Sequence, residues 1–473
     1  MLMNRLRRIA TIASLLASST GAHAQVNDAQ ATPRTFTLGE ALQYAVDHYP
    51  TVRAALEHVN ASTANVSVAK TAYLPRFEAL WQTNRATANN IFGQLLPQST
   101  IPALSGPVLL SASSQSVWGS AAGGLFSWEP FDFGLRAATV HEAEAGVVRA
   151  RAEEGLTRLG VQNAVGVAFL GVISAQQAVT AAEADVERRQ TLSRAAQTLA
   201  DNQLRPGAEA SRASAERAAA QTRAIQARQV LVMAQVTLSQ VLGIVDGPVD
   251  VNAAGLLDEV PTVAPQTVSP PGHPLVQSSQ AAVDVARARE DVLAQTNRPH
   301  VYLQSSAFAR GSGANPDGQF DGGTDGLGLE RANWAAGVQV VVPNLFDFAS
   351  LRSQRAAAGA LTRAESARYD EAVLGVTGQQ RMADAALAAA LAIAQNTPVQ
   401  LAAAQQSEAQ ARARYDAGLA NIIEVAEAQN LLANAEYQNA VARVDVWRTL
   451  LAQAVARGDA ASFIELVRTS GVP

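Results

Sequence analysis

The chain has 473 residues, a formal charge of −5, 48% hydrophobic but only 5% aromatic residues, and no cysteine. Disulfides, thiolate nucleophiles and cysteine–metal clusters are therefore excluded, and the acidic balance argues against a nucleic-acid partner. Scarce aromatics with abundant alanine and glutamine favour long helices touching through small side chains over one thick globular core.

In chain order, the first segment supplies Arg5, Arg7 and Arg8, then the apolar run "IATIASLLA", then "AHAQ" (Ala22 to Gln25), with small residues flanking a cleavage point after Ala24. This is the three-part layout of a secretory signal peptide, too short to span a membrane. Residues 1–24 are read as that signal peptide, and the protein as exported. A lipid anchor needs a cysteine just after such a sequence, so the chain is expected not to be lipidated. Beyond residue 30 there is no run of about 18 consecutive apolar residues, and no transmembrane helix is expected.

A helix is expected over about Leu38 to Ala72, broken near Pro50. A strand follows from about Arg76 to Arg85, where Phe77, Ala79 and Trp81 alternate with Glu78, Gln82 and Asn84. Residues 86–114 are rich in turn formers and read as a long loop. A second strand covers about Ser116 to Trp128, with Trp118, Phe126 and Trp128 on one face. From about Leu135 to Leu199 no proline interrupts a helix that would be roughly 100 Å long at about 1.5 Å per residue. Its stripe Val161, Val165, Ala168, Val172, Ala175, Val179, Ala182 and Val186 is spaced alternately by four and three, a heptad seam.

The pattern then begins again. Pro50 and Pro75 are 25 residues apart, as are Pro274 and Pro299. Trp118 and Trp334 are 216 apart, and Asp132 of "WEPFDFGLR" and Asp347 of "PNLFDFASLR" are 215 apart. "QLRPGAEAS" (from Gln203) matches "GLANIIEVA" (from Gly418) at the same offset of 215. Ordered recurrence implies two copies of one unit. Residues 25–245 form the first, 246–272 a proline-rich linker or equatorial segment with room for short local structure, 273–460 the second and 461–473 a tail. The second copy has strands near Val301 to Arg310 and Asn333 to Val342. In the latter, Trp334, Ala336, Val338, Val340 and Val342 oppose Ala335, Gly337 and Gln339. Its seam (Val376, Ala383, Leu387, Ala390, Ala394, Leu401) is interrupted by Gln380 and Thr397, and Pro398 is expected to kink or break the helix.

Four short strands leave open edges and are too few to close a barrel, so they imply pairing with other chains. Aromatic, alternating strands with long loops in an exported protein fit an outer-membrane barrel wall.

These features resemble the TolC-type outer-membrane efflux protein family. The shared marks are "TLGEALQYAVDHYPTV" (Thr37 to Val52), "AYLPRF" (Ala72 to Phe77), the paired Phe-Asp-Phe junctions, "LRPGAEASRASAE" (Leu204 to Glu216) and "YDAGLANIIEVAEAQNLLANAEYQNA" (Tyr415 to Ala440). The resemblance implies a helix-rich mixed α and β fold in a homotrimer: one twelve-stranded transmembrane β-barrel continued by a long α-helical periplasmic tunnel. It implies a passive conduit across the outer membrane, in contact with outer-membrane lipid, partnered by a periplasmic adaptor and an inner-membrane pump. It places adaptor docking at the helix-to-helix tips, with Leu204, Arg205, Gly418 and Leu419 as candidates. It also places an acidic ring at the periplasmic entrance on Glu424 and Glu427. Two departures stand out: Gln203 replaces a usual glycine, and Ala420 stands where some relatives have a tethering arginine.

Asp132 and Asp347 are placed to cap the long helices that follow the strands. No catalytic set is expected. His23, His48, His58, His141, His273 and His300 have no metal-ligand spacing, and neither a P-loop nor a cofactor motif occurs. The rival readings are an exported coiled-coil structural protein without a pore and an exported enzyme. The first leaves the duplicated strand pairs unexplained, and the second lacks convergent chemistry.

Overall fold

The computed structural model describes residues 34–469 except 88, 90–95, 97, 102–107, 109, 111, 246, 248, 254, 255, 258–269, 318 and 344–347. The expected signal peptide and its cleavage point lie outside the described residues. After β1 (Arg34–Phe36), Thr37 opens α1 (Leu38–His48) with a reciprocal cap. Its hydroxyl accepts from the Glu40 N–H at 3.3 Å, and the Glu40 carboxylate accepts from the Thr37 N–H at 2.9 Å. Extended Tyr49 ends α1, and Pro50 starts α2 (Pro50–Thr71), where its missing N–H costs nothing. β2 (Arg76–Thr87), β3 (Ser116–Phe131), α3 (Leu135–Asp201) and α4 (Gly207–Leu242) complete the first repeat. After β4 (Val249–Val251) the second repeat gives α5 (Pro274–Gln295), β5 (His300–Ser312), β6 (Arg331–Val341), α6 (Phe348–Asp416) and α7 (Ile422–Arg457), followed by α8 (Ala460–Thr469).

The segment expected as a linker is partly built into the fold. β4 pairs in parallel with β1, and buried Leu256 accepts the Trp447 indole N–H on its carbonyl at 2.7 Å. The segment expected as a tail carries most of α8, whose Phe463 meets Trp447 edge-on at 6.3 Å. With Leu38, Leu42, Phe169 and Leu238 these residues form the main apolar core around the middle of α3.

The other sheet is antiparallel, in the order β2-β3-β5-β6. Its register decides the faces. Phe77 lies opposite Phe126, which lies opposite Ser305, which lies opposite Ala336. By alternation, Phe77, Trp81, Trp118, Phe126, Trp128, Leu303, Trp334, Val338 and Val340 share one face. Glu78, Gln82, Asn84, Gln304, Ser306, Asn333 and Gln339 share the other. The aromatic face is bare in the single chain: Trp81 is 74% and Trp334 81% exposed. β3 runs on through Pro130, although proline has no N–H to give to a strand ladder. The ladder slips between Trp128 and Phe131, and Pro130 occupies that irregularity, where its missing N–H is tolerated.

α3 and α6 each contain a stretch apolar enough on average to cross a membrane, with mean hydropathy 1.5 and 1.2. Alanine and valine raise those averages without a continuous apolar run. In α3, Val161, Val165, Val172 and Ala175 of the heptad stripe are buried, and further down Asp185, Arg189, Ser193 and Ala196 take the buried face. The reason is that α3 packs against α4 and α7 at once and needs two seams. α6 runs unbroken through Pro398. Ala390 and Ala394 before it are buried, and Leu401 after it packs with Leu432 and Ala435 of α7, so packing holds the helix where one backbone bond is lost.

Candidate functional site

The site is built where the two helical hairpins end. Both turns use the same bonds at an offset of 215. Leu204 N–H reaches the Leu199 carbonyl and Leu419 N–H the Arg414 carbonyl, at 2.9 and 2.8 Å. Gln203 N–H reaches the Ala200 carbonyl and Gly418 N–H the Tyr415 carbonyl, at 2.9 and 3.0 Å. This closure needs a left-handed residue. Gly418 supplies it at φ 75°, and Gln203 adopts it at φ 59°, at a cost of about 1 kcal/mol for a residue with a side chain. The Asn421 side chain then caps α7, accepting from Ile423 and Glu424 N–H at 2.9 and 3.1 Å. At the matching position α4 has Pro206 and no side-chain cap.

Of the four tip candidates, Leu204 and Leu419 point outward, 70% and 74% exposed. Arg205 is turned inward and joins the hairpins. Its guanidinium lies 5.0 Å from the Tyr415 ring centre and donates to the Tyr415 carbonyl at 3.3 Å. It stands 3.8 Å from Glu209, and the Tyr415 hydroxyl donates to Glu209 at 3.3 Å. Burial, then the Glu209 charge, pushes the Tyr415 phenol up, so it stays protonated and keeps its donor. Ala420 lacks a tether, and Arg205, its counterpart 215 residues earlier, supplies a cation from the other hairpin. The sequence offset could have shown this.

Glu424 and Glu427 are both exposed on α7, opposite buried Val425, Ala426 and Ala428. Glu424 lies 3.7 Å from Arg414 of α6. Nearer the middle of the hairpins stands a charge cluster that sequence reading missed. Asp185 accepts from Arg189 Nε and from Arg223, each at 3.0 Å. Arg189, 1% exposed, also donates to Glu216 at 2.9 Å and to Asn430 at 2.7 Å. Arg188 grips both oxygens of Glu436, at 3.1 and 2.8 Å. Three cations balance three anions across α3, α4 and α7. Their spacings in the chain reach 248 residues, and no local pattern signals such pairs.

At the strand-to-helix junction the formal cap residue is Gly134, but Asp132 provides the bonds. Its carboxylate accepts from the Arg136 N–H at 2.5 Å, the Arg136 Nε at 3.0 Å and the Gly134 N–H at 3.2 Å. Asp347 lies outside the described residues. No cluster of metal-binding side chains occurs among the described residues.

The family model described as outer membrane efflux protein matches residues 41–244 and 272–456. Among solved structures the chain is similar to the outer membrane protein VceC from Vibrio cholerae, at 17% identity and TM-score 0.69, over 89% of this chain and 96% of that one. It is similar to the Campylobacter jejuni CmeC outer membrane channel at 15% identity and TM-score 0.72, over 89% and 85%. It is also similar to the open state of the Neisseria gonorrhoeae MtrE outer membrane channel at 16% identity and TM-score 0.65, over 89% and 89%. At such identities the likeness is one of fold. No curated protein matches the chain.

Proposed function

The chain belongs to the outer membrane efflux protein family, and from that premise we propose how its parts assemble and work. It is the outer-membrane channel component of a tripartite efflux system, a conduit and not an enzyme. Three protomers close one twelve-stranded barrel, β6 of each pairing with β2 of the next. The observation that carries this is the sheet, which joins an exposed aromatic face to two long outer strands, β2 and β6. Such edges invite pairing, and closure removes them. The aromatic face then meets lipid and the polar face lines the lumen.

The helices continue the lumen as a periplasmic tunnel. Exposed Ile225, Val232, Met233 and Val236 of α4 and Met382 and Ile393 of α6 are covered between protomers. Leu204 and Leu419 present an apolar tip to the adaptor, with Gly418 shaping the turn. Arg205, Tyr415 and Glu209 hold the hairpins together when closed. An adaptor that binds the separated hairpins better favours the open state, and an inner-membrane pump supplies the energy. Residues 1–24 are removed on export, and the mature chain carries no lipid.

Three copies of Glu424 and Glu427 ring the entrance, attracting cations and opposing anions. Trimers in planar bilayers are expected to conduct with a preference for cations. Glu424→Ala with Glu427→Ala is expected to move the reversal potential toward zero and weaken block by divalent cations. Unchanged selectivity would remove the ring. No conductance, even with the tip loosened by Tyr415→Ala, would remove the conduit.

A further inference from the structure

The polar face of the sheet carries an apolar row in mid-strand. Leu80 lies opposite Gly123, and Gly123 opposite Phe308. Gly123 is required there, because a Cβ would lie 2.4 Å from that of Phe308. Over this row sits Ile101, from the connection between β2 and β3. It is 1% exposed, packed with Leu80, Ala121 and Phe308. Its turn is clipped by one side chain. Gln98 accepts from the N–H of Thr100 and Ile101 at 2.6 and 2.8 Å and donates to the Ile101 carbonyl at 2.6 Å. Ser99 donates to Glu78, further down β2, at 3.4 Å. Leu80 is seven residues before the end of β2 at Thr87, so the turn reaches roughly 20 Å back along the sheet.

We infer that Gln98–Ile101 is a seated turn inside the barrel that narrows the conduit and selects cargo by size and not by charge. This rests on the polar face lining the lumen, as the conduit reading has it. The groove beside the turn, about 440 Å³, is lined by Ser99, Thr100, Gln304, Ser306 and Gln339 together with apolar Leu125 and Val338, and by no charged side chain. Three such turns around one axis leave a narrowed, hydrated gap, with Glu78 held at the edge of each turn by Ser99. Ions are ranked at the acidic tip, and bulk is limited here.

The test uses full-length trimers in a Tyr415→Ala background, so that the tip does not limit flow. Ile101→Ser, which unseats the turn without adding charge, is expected to raise conductance about twofold and to admit larger polyethylene glycols in polymer-exclusion measurements. Gln98→Ala is expected to do the same to a smaller degree, and neither is expected to alter cation preference. Because the chain has no cysteine, Leu80→Cys with Ile101→Cys is a clean pair. Oxidation is expected to crosslink it and leave the polymer cut-off at the parental value. The inference is overturned if both single variants form heat-modifiable trimers with an unchanged cut-off, if only their ion selectivity changes, or if the cysteine pair does not crosslink. Loss of all conductance in the Tyr415→Ala parent would count against the conduit instead, and the crosslink would still report whether the turn is seated.

Discussion

The Asp132 carboxylate is shared between the backbone of a helix start and the guanidinium of Arg136, which also lies 4.7 Å from the Tyr73 ring centre and donates to the Ala72 carbonyl at 3.2 Å. One acid thus ties the end of α2 to the start of α3. Burial pushes the Asp132 carboxyl up, but the bonds from Arg136 and Gly134 outweigh it and hold it below the usual carboxylate range. The folded pKa lies below the unfolded one, so the stabilisation is complete above about pH 4 and is lost as pH falls through the folded value. Asp132→Ala leaves Arg136 buried without its counter-charge, a loss of about 3 kcal/mol. In the proposed trimer, the variant is expected to dissociate at lower temperature on gels at pH 7, and to lose the acid-sensitive step below about pH 4. A parental melting profile would show that the junction does not depend on this acid. That Asp132 sits where a helix start can bond to it was legible from an acid just ahead of a helical pattern. The role of Arg136 in reaching across to α2 was not, because Ala72 is 64 residues away.

Among the elements, α3 departs most from its sequence pattern. A valine–alanine heptad predicts one seam, yet Asp185 and Arg189 fill the second, against α4 and α7. Buried charges are tolerated here because each is matched: three arginines face three carboxylates, and Asn430 accepts from the third Arg189 nitrogen, Nη2. Removing one member is far costlier than breaking a surface pair such as Arg414–Glu424, about 3–5 against 0–1 kcal/mol. Arg189→Met is therefore expected to lower the thermal midpoint of the proposed trimer well beyond Arg414→Ala, read by heat-modifiable mobility. Adding Glu216→Gln is expected to restore part of the loss, since Glu216 is the acid left without its cation when Arg189 is removed. Equal effects of Arg189→Met and Arg414→Ala would contradict the burial argument. Pro398 teaches the same lesson from the other side: local propensity predicts a break, and tertiary packing on both flanks of the proline overrides it.

For the whole molecule, sidedness of the sheet is the property on which insertion of the proposed barrel turns. Trp334 on the aromatic face and Gln339 on the polar face belong to one strand. In the proposed barrel, Trp334→Arg would place a charge toward lipid at a cost of about 2–4 kcal/mol near the bilayer midplane. It is expected to cut the yield of outer-membrane trimer sharply, whereas Gln339→Arg is expected to be tolerated. Equal yields would mean that the faces are not lipid and lumen. The sequence by itself determined the duplication, the order of elements, the strand faces and the twin tips, because these follow from local periodicity and from a constant offset along the chain. It also carried the family marks, in motifs that are contiguous. Only the tertiary structure decided that the linker and tail join the core through Leu256 and Phe463, that Arg205 grips Tyr415, that Arg189 anchors three helices, and that Ile101 sits under the polar face of the sheet. Each of these joins residues distant in the chain whose partners are chosen by how helices and strands pack, and pairwise packing across such separations leaves no period in the sequence to read.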